Sequence, residues 1–138
     1  MTRQIEPRVG CGAAIVVDGA ILLLRRLTEP EAGCWGLAGG KIDLFESAAD
    51  AMRREVKEEL DIVVETAELL CFVDQIDRAA ATHWVAPIYR VLRFTGTPRN
   101  VEPGKHEGPR WFPLAALPDA LTTPMRAAVR ALAALGIG

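Results

Sequence analysis

Three glutamates, Glu55, Glu58 and Glu59, stand at i, i+3 and i+4 in a stretch free of glycine and proline. On a helix these positions share one face, with Cβ atoms roughly 5–6 Å apart. Carboxylates held that close repel one another and raise each other's pKa. One reading is a solvated acidic face balanced by Arg53, Arg54 and Lys57, and taken alone it is the commoner case. The other is a site for a hard divalent cation. Mg²⁺ takes carboxylate oxygens, keeps several waters and bridges substrate phosphates.

The element that must carry these acids is a helix over Ser47 to Leu60. Ser47 can cap it, and Asp50 three residues later completes a pattern like a capping box. Ala49, Met52, Val56 and Leu60 form the apolar stripe that turns its other face to a core. Val9 to Val17 and Ile21 to Leu24 read as strands joined by the hairpin signal Asp18-Gly19. Thr28 to Gly33 reads as a loop. Trp35 to Leu37 and Lys41 to Leu44 read as brief strand pieces around Gly39-Gly40. Leu69 to Ile76 and Val85 to Phe94 are further strands, connected by Asp77 to Thr82. Gly96 to Pro109 reads as a loop and Trp111-Phe112 as a short strand. Thr123-Pro124 opens a C-terminal helix with Pro at its first position, running to about Leu135. Strands, a central helix, more strands and a terminal helix predict an α+β fold, an α/β/α sandwich with a mixed sheet between helices.

The chain has 138 residues, half of them hydrophobic and a quarter charged. That predicts one globular domain over 1–138 with a real core. With 16 basic and 18 acidic residues the net charge is −2. No whole-molecule field would draw in a nucleic acid or an anionic membrane, so any phosphate chemistry must be local. Cys11, Cys34 and Cys71 are scattered and odd in number, which predicts reduced thiols and a cytoplasmic protein. No apolar run approaches the length of a membrane span.

The surroundings of the three glutamates decide between the two readings. Gly40 is followed by five residues and Glu46, then by seven more and Arg54-Glu55-Val56-Lys57-Glu58-Glu59, with Ile62 closing the run. This resembles the Nudix box of the MutT/Nudix hydrolases, a loop-helix-loop of the form G-x5-E-x7-R-E-U-x-E-E-x-G-U, where U is a bulky aliphatic residue. Eight of its nine fixed positions match at the right spacing over residues 40–62. The late glycine of the pattern is Asp61 here, at a helix end where a left-handed conformation is needed and Asp tolerates it. The glycine often found before the first glutamate is Phe45, and the proline often found before Gly-Gly is Ala38.

The resemblance implies a Nudix fold and a Mg²⁺-dependent hydrolase, with Mn²⁺ as a substitute cation. It implies that Glu55 and Glu59 are the principal metal ligands, with Glu58 as a further ligand and the carbonyl of Gly40 completing the sphere. Arg54 would orient a box carboxylate, with Glu46 as its partner. Relatives often add a glutamate from a late loop as general base. Glu107 is the favoured candidate and Glu102 the second, with Glu55 or Glu58 as alternatives. Arg25, Arg26 and Lys41 are candidates to meet phosphates. Trp35, Phe72, His83, Trp84 and Trp111 are candidates to stack on a base, although an aromatic in a strand is more often core. The implied substrate is a nucleoside diphosphate derivative, first a (deoxy)nucleoside triphosphate, because the downstream Pro and Tyr markers of other subgroups are replaced by Asp77, Arg78, Ala79 and Ala80. ADP-ribose or a sugar nucleotide is the alternative, as is a non-catalytic domain that senses a nucleotide. Homodimers are common among such proteins, and no residue here locates an interface.

Overall fold

The structure is a computed structural model that describes residues 3–138. Its strands are β1 (Arg8–Val17), β2 (Ala20–Arg26), β3 (Trp35–Gly36), β4 (Ala38–Lys41), β5 (Val63–Asp77), β6 (Thr82–Thr95) and β7 (His106–Pro113). Helix α1 (Ala48–Leu60) lies between β4 and β5, and α2 (Thr123–Ala134) ends the series. The strands hydrogen-bond in the order β3-β2-β1-β6-β5, with β4 added to β1 and β7 to β2. β1 and β6 run parallel and the other pairs antiparallel, so the sheet is mixed.

Alternation along the inner strands places the helices on opposite faces. Cys11, Ala13 and Ile15 of β1, with Leu22 and Leu24 of β2, pack with Met52, Val56 and Leu60 of α1. Ala14, Ile21 and Leu23 point the other way and pack with Met125, Ala128 and Leu132 of α2. Ile21 to Leu24 is thus buried on both faces, as a continuous apolar run requires. The result is the expected α/β/α sandwich. Asp18 and Gly19 both take positive φ at the β1–β2 turn, the geometry that matches the strand twist. Among the described residues no helix is long and apolar enough to cross a membrane.

Several boundaries differ from the sequence expectation. β4 covers Ala38–Lys41, so Gly39-Gly40 lie within a strand paired to Cys11 and Gly12, and no strand covers Ile42 to Leu44. β5 begins at Val63, well before Leu69. β7 begins at His106, inside what reads as a loop. Helix α1 starts where expected: the Ser47 side chain accepts from the Asp50 amide at 3.1 Å. It ends on Asp61, which takes the left-handed conformation (φ 56°, ψ 40°).

Phe45 is also left-handed, at φ 67°, and 97% exposed. A Cβ in that conformation costs about 1 kcal/mol, and the ring recovers nothing by packing. Phe45→Gly is therefore expected to raise the thermal midpoint of the metal-free protein. A lowered midpoint would mean that the ring is held in solution.

Candidate active site

One wall of the site is the β4 backbone. The Gly39 amide donates to Glu59 Oε1 at 2.7 Å and fixes that carboxylate over the end of the strand. Gly40 presents its Cα to Glu55; a Cβ there would lie 2.5 Å from the Glu55 carboxyl carbon. The Gly40 carbonyl, read from sequence as a metal ligand, accepts from the Cys11 thiol at 3.5 Å. Burial pushes that thiol up to about 11, so it stays protonated.

The second wall is α1, organised by Arg54. Its guanidinium grips Glu46 in a fork, Nε to Oε2 at 2.8 Å and Nη2 to Oε1 at 2.9 Å. The same group donates to Glu55 at 2.9 Å and to the Lys41 carbonyl at 2.9 Å. It reaches Glu58 at a longer 3.3 Å. This bidentate geometry suits arginine alone among the cations. Hydrogen bonds from Arg54 hold Glu46 down at about 2, so it is ionised at neutral pH. Glu55 moves upward despite Arg54, chiefly because it is desolvated, with Glu58 and Glu102 adding repulsion. Glu58 is half exposed at the outer edge of the group.

The third wall is the segment before β7. The Arg99 and Val101 amides donate to the carbonyls of Leu60 and Glu59, at 3.0 and 3.1 Å, satisfying groups that a helix end leaves open. Arg99 also meets the Asp61 carboxylate at 3.0 Å. Asn100 donates to the His106 carbonyl and accepts from the Glu102 amide. Tied down in this way, the segment delivers Glu102 and His106 beside Glu59. Ligand atoms of the three lie within 4.8 Å of one another. Glu59 has only 6% of its side chain exposed and is pushed up to about 8, first by burial and then by repulsion from Glu55 and Glu102.

The remaining candidates are scattered. Glu107 follows His106 on β7, so its side chain points the opposite way; it is half exposed and pairs with Arg25 at 3.4 Å. The late acid that joins the box glutamates is Glu102, not the favoured Glu107. Arg25 also donates to the Gly33 carbonyl, and Arg26 to that of Pro30. Lys41 is exposed beside Gly40. Trp35 is partly buried and packs edge-on against Phe112 at 4.9 Å, alongside the α2-side core. His83 lines a separate surface cleft with Gln4, Glu6, Pro7 and Asp77, into which no box carboxylate projects. Of the other aromatics, Trp84 lies under Arg8, while Phe72 and Trp111 are exposed on strands. The sequence reading missed Lys105 and His106. Their only signal was proximity to Glu102, since an isolated histidine in a polar stretch carries no periodicity.

The assembly fits a divalent cation. Glu55 and Glu59 are desolvated and repelled by each other and by Glu102, and a hard cation removes that conflict. The sequence pattern of the NUDIX domain family matches residues 6–132. A MutT NUDIX hydrolase from Burkholderia pseudomallei is 55% identical and superposes with a TM-score of 0.90, covering 92% of this chain and 98% of that one. An ADP-ribose pyrophosphatase of Methanocaldococcus jannaschii is 31% identical over 85 residues, 62% of this chain and 50% of that protein. A CTP pyrophosphohydrolase of Escherichia coli is 44% identical over 57 residues, 41% of this chain and 42% of that protein. These matches span half or less of the two curated relatives. With the family pattern running over nearly the whole chain and the box glutamates gathered at one end of β4, the chain belongs to the MutT/Nudix family of hydrolases.

Proposed function

We propose that this chain hydrolyses the pyrophosphate linkage of a (deoxy)nucleoside triphosphate, giving a monophosphate and pyrophosphate, with Mg²⁺ as cofactor. The observation that carries the proposal is the gathering of Glu55 and Glu102 around Glu59, a carboxylate pushed up to about 8 and anchored by the Gly39 amide. Such a cluster costs folding stability and gains a purpose only with a cation bound. Glu55, Glu59 and Glu102 would hold that ion, with Glu58 and the Gly40 carbonyl at its margin. When bound, it supplies charge neutralisation on the phosphates and a more acidic water.

The protein's own groups do the rest. Arg54, locked to Glu46, keeps Glu55 oriented. Lys105 and Arg26, both close enough to act electrostatically on His106, supply positive charge for the phosphates, with Arg25 and Lys41 at the rim. Water attacks one phosphorus, the bridging P–O bond breaks, and the proton passes to a carboxylate with an oxygen open to solvent. Glu58 meets that description, being held only by long contacts to Arg54.

A second reading, ADP-ribose or another sugar nucleotide, is favoured by the name of the M. jannaschii relative. The name of the E. coli relative favours a triphosphate. The test is product analysis on nucleoside triphosphates, ADP-ribose and sugar nucleotides, each with Mg²⁺ and with EDTA. Pyrophosphate from a triphosphate, abolished by EDTA, is expected. AMP from ADP-ribose without triphosphate turnover would move the assignment to the second reading. Stoichiometric Mg²⁺ binding without turnover would mean that these compounds do not include the substrate or that this is a nucleotide-sensing domain.

A further inference from the structure

The Nudix box accounts for carboxylates but not for a histidine among them. His106 is 9% exposed, and its Nε2 faces Glu59 Oε2 at 3.4 Å. Its Nδ1 is buried without a hydrogen-bond partner among the described residues. Buried polar atoms are nearly always satisfied, so one left open points to a partner outside the chain. Its electrostatic neighbours include Arg26 and Lys105 as well as Glu102, and none of them hydrogen-bonds to the ring.

Building on the cation site proposed above, we infer that His106 is a nitrogen ligand of that site, completing a Glu59-Glu102-His106 donor set that selects Mn²⁺ or a similar transition metal over Mg²⁺. An all-oxygen site suits Mg²⁺; imidazole is a borderline donor that Mg²⁺ takes poorly and transition metals take well. Two carboxylates and one imidazole, with ligand atoms within 4.8 Å of one another, can meet a single ion. The protein would still use Mg²⁺ where that ion is abundant, but would hold Mn²⁺ more tightly.

The test uses the full chain loaded with one equivalent of Mn²⁺ and examined by pulsed electron paramagnetic resonance. The chain has two histidines, so His83→Gln leaves His106 as the only imidazole. A nitrogen coupling that persists in His83→Gln and changes to the ¹⁵N pattern in histidine-labelled protein is expected. His106→Gln is expected to lose that coupling and to narrow the Mn²⁺-over-Mg²⁺ affinity ratio by about tenfold or more in calorimetric titration. Should that variant not fold, the labelled His83→Gln spectrum decides alone. Stoichiometric Mn²⁺ without nitrogen coupling would overturn the histidine ligand and leave a carboxylate site standing. Absence of stoichiometric Mn²⁺ or Mg²⁺ binding would overturn both.

Discussion

Glu59→Gln is expected to lower turnover by ~10³-fold while making the metal-free protein more stable above neutral pH. On the cation site proposed above, the loss of rate follows from removing one of its charged ligands. The gain in stability follows from linkage. Glu59 titrates at about 8 in the folded chain against an ordinary value of 4.5, so folding disfavours its ionised form. The folded state is therefore progressively penalised as pH rises from about 4.5 to about 8, and the penalty levels off above that. A tenfold change in proton affinity is worth about 1.4 kcal/mol, so the neutral amide should recover a few kcal/mol at pH 8. The glutamine carbonyl can still accept from the Gly39 amide. Added Mg²⁺ should reverse the order, stabilising the parent protein and leaving Glu59→Gln unmoved. Thermal unfolding against pH, in EDTA and in Mg²⁺, checks this alongside turnover. A less stable Glu59→Gln at pH 8, or one that keeps the full Mg²⁺ stabilisation, would refute this account of the site.

The adjacent glycines of β4 should fail in different ways. A Cβ on Gly39 would run into the carbonyl oxygen of Cys11, which is backbone held in the β1–β4 pairing and unable to yield. Gly39→Ala is expected to cost about 3 kcal/mol and lose activity with the fold. The nearest atoms a Cβ on Gly40 would meet are those of the Glu55 carboxylate, the far end of a flexible side chain. Gly40→Ala is thus expected to stay folded, within about 1 kcal/mol of the parent, while displacing Glu55. A displacement of about 1 Å in a positioning group is worth ~10²-fold in rate. Circular dichroism melts and turnover on the two variants separate these outcomes. Equal loss of stability in both would mean that Glu55 cannot move aside.

These contrasts show what can be read from residue order and what cannot. The acids of α1 are legible because helical spacing, a serine cap and fixed distances to Gly40, Glu46 and Arg54 all agree. The left-handed stop at Asp61 is legible for the same reason. β5 is under-read from sequence because irregularities in its pairing near Thr66 and between Leu69 and Cys71 disturb the alternation a strand would show. β7 is under-read because Gly108 and Pro109 resemble loop chemistry, yet they lie where β7 shifts register against β2. That Glu102 rather than Glu107 lies beside the box glutamates is not legible for want of a single fact, the strand start at His106. That start turns His106 inward and Glu107 outward. Trp35 packs against the core for a reason no local pattern carries, since its partner Phe112 is far along the chain.

The two backbone bonds from Arg99 and Val101 to the end of α1 turn a glycine- and proline-rich connection into a ruler. One residue added between Val101 and Glu102 would move the glutamate by up to ~3.3 Å while leaving those bonds intact. Chain length is therefore fixed over 99–106 even though the composition looks permissive. The freedom to grow lies in the exposed turn of Arg78 to Ala81 between β5 and β6, which makes no hydrogen bond to the three walls of the site. Length variation among homologues should gather at that tip, and a graft or reporter inserted there should leave the glutamate cluster undisturbed.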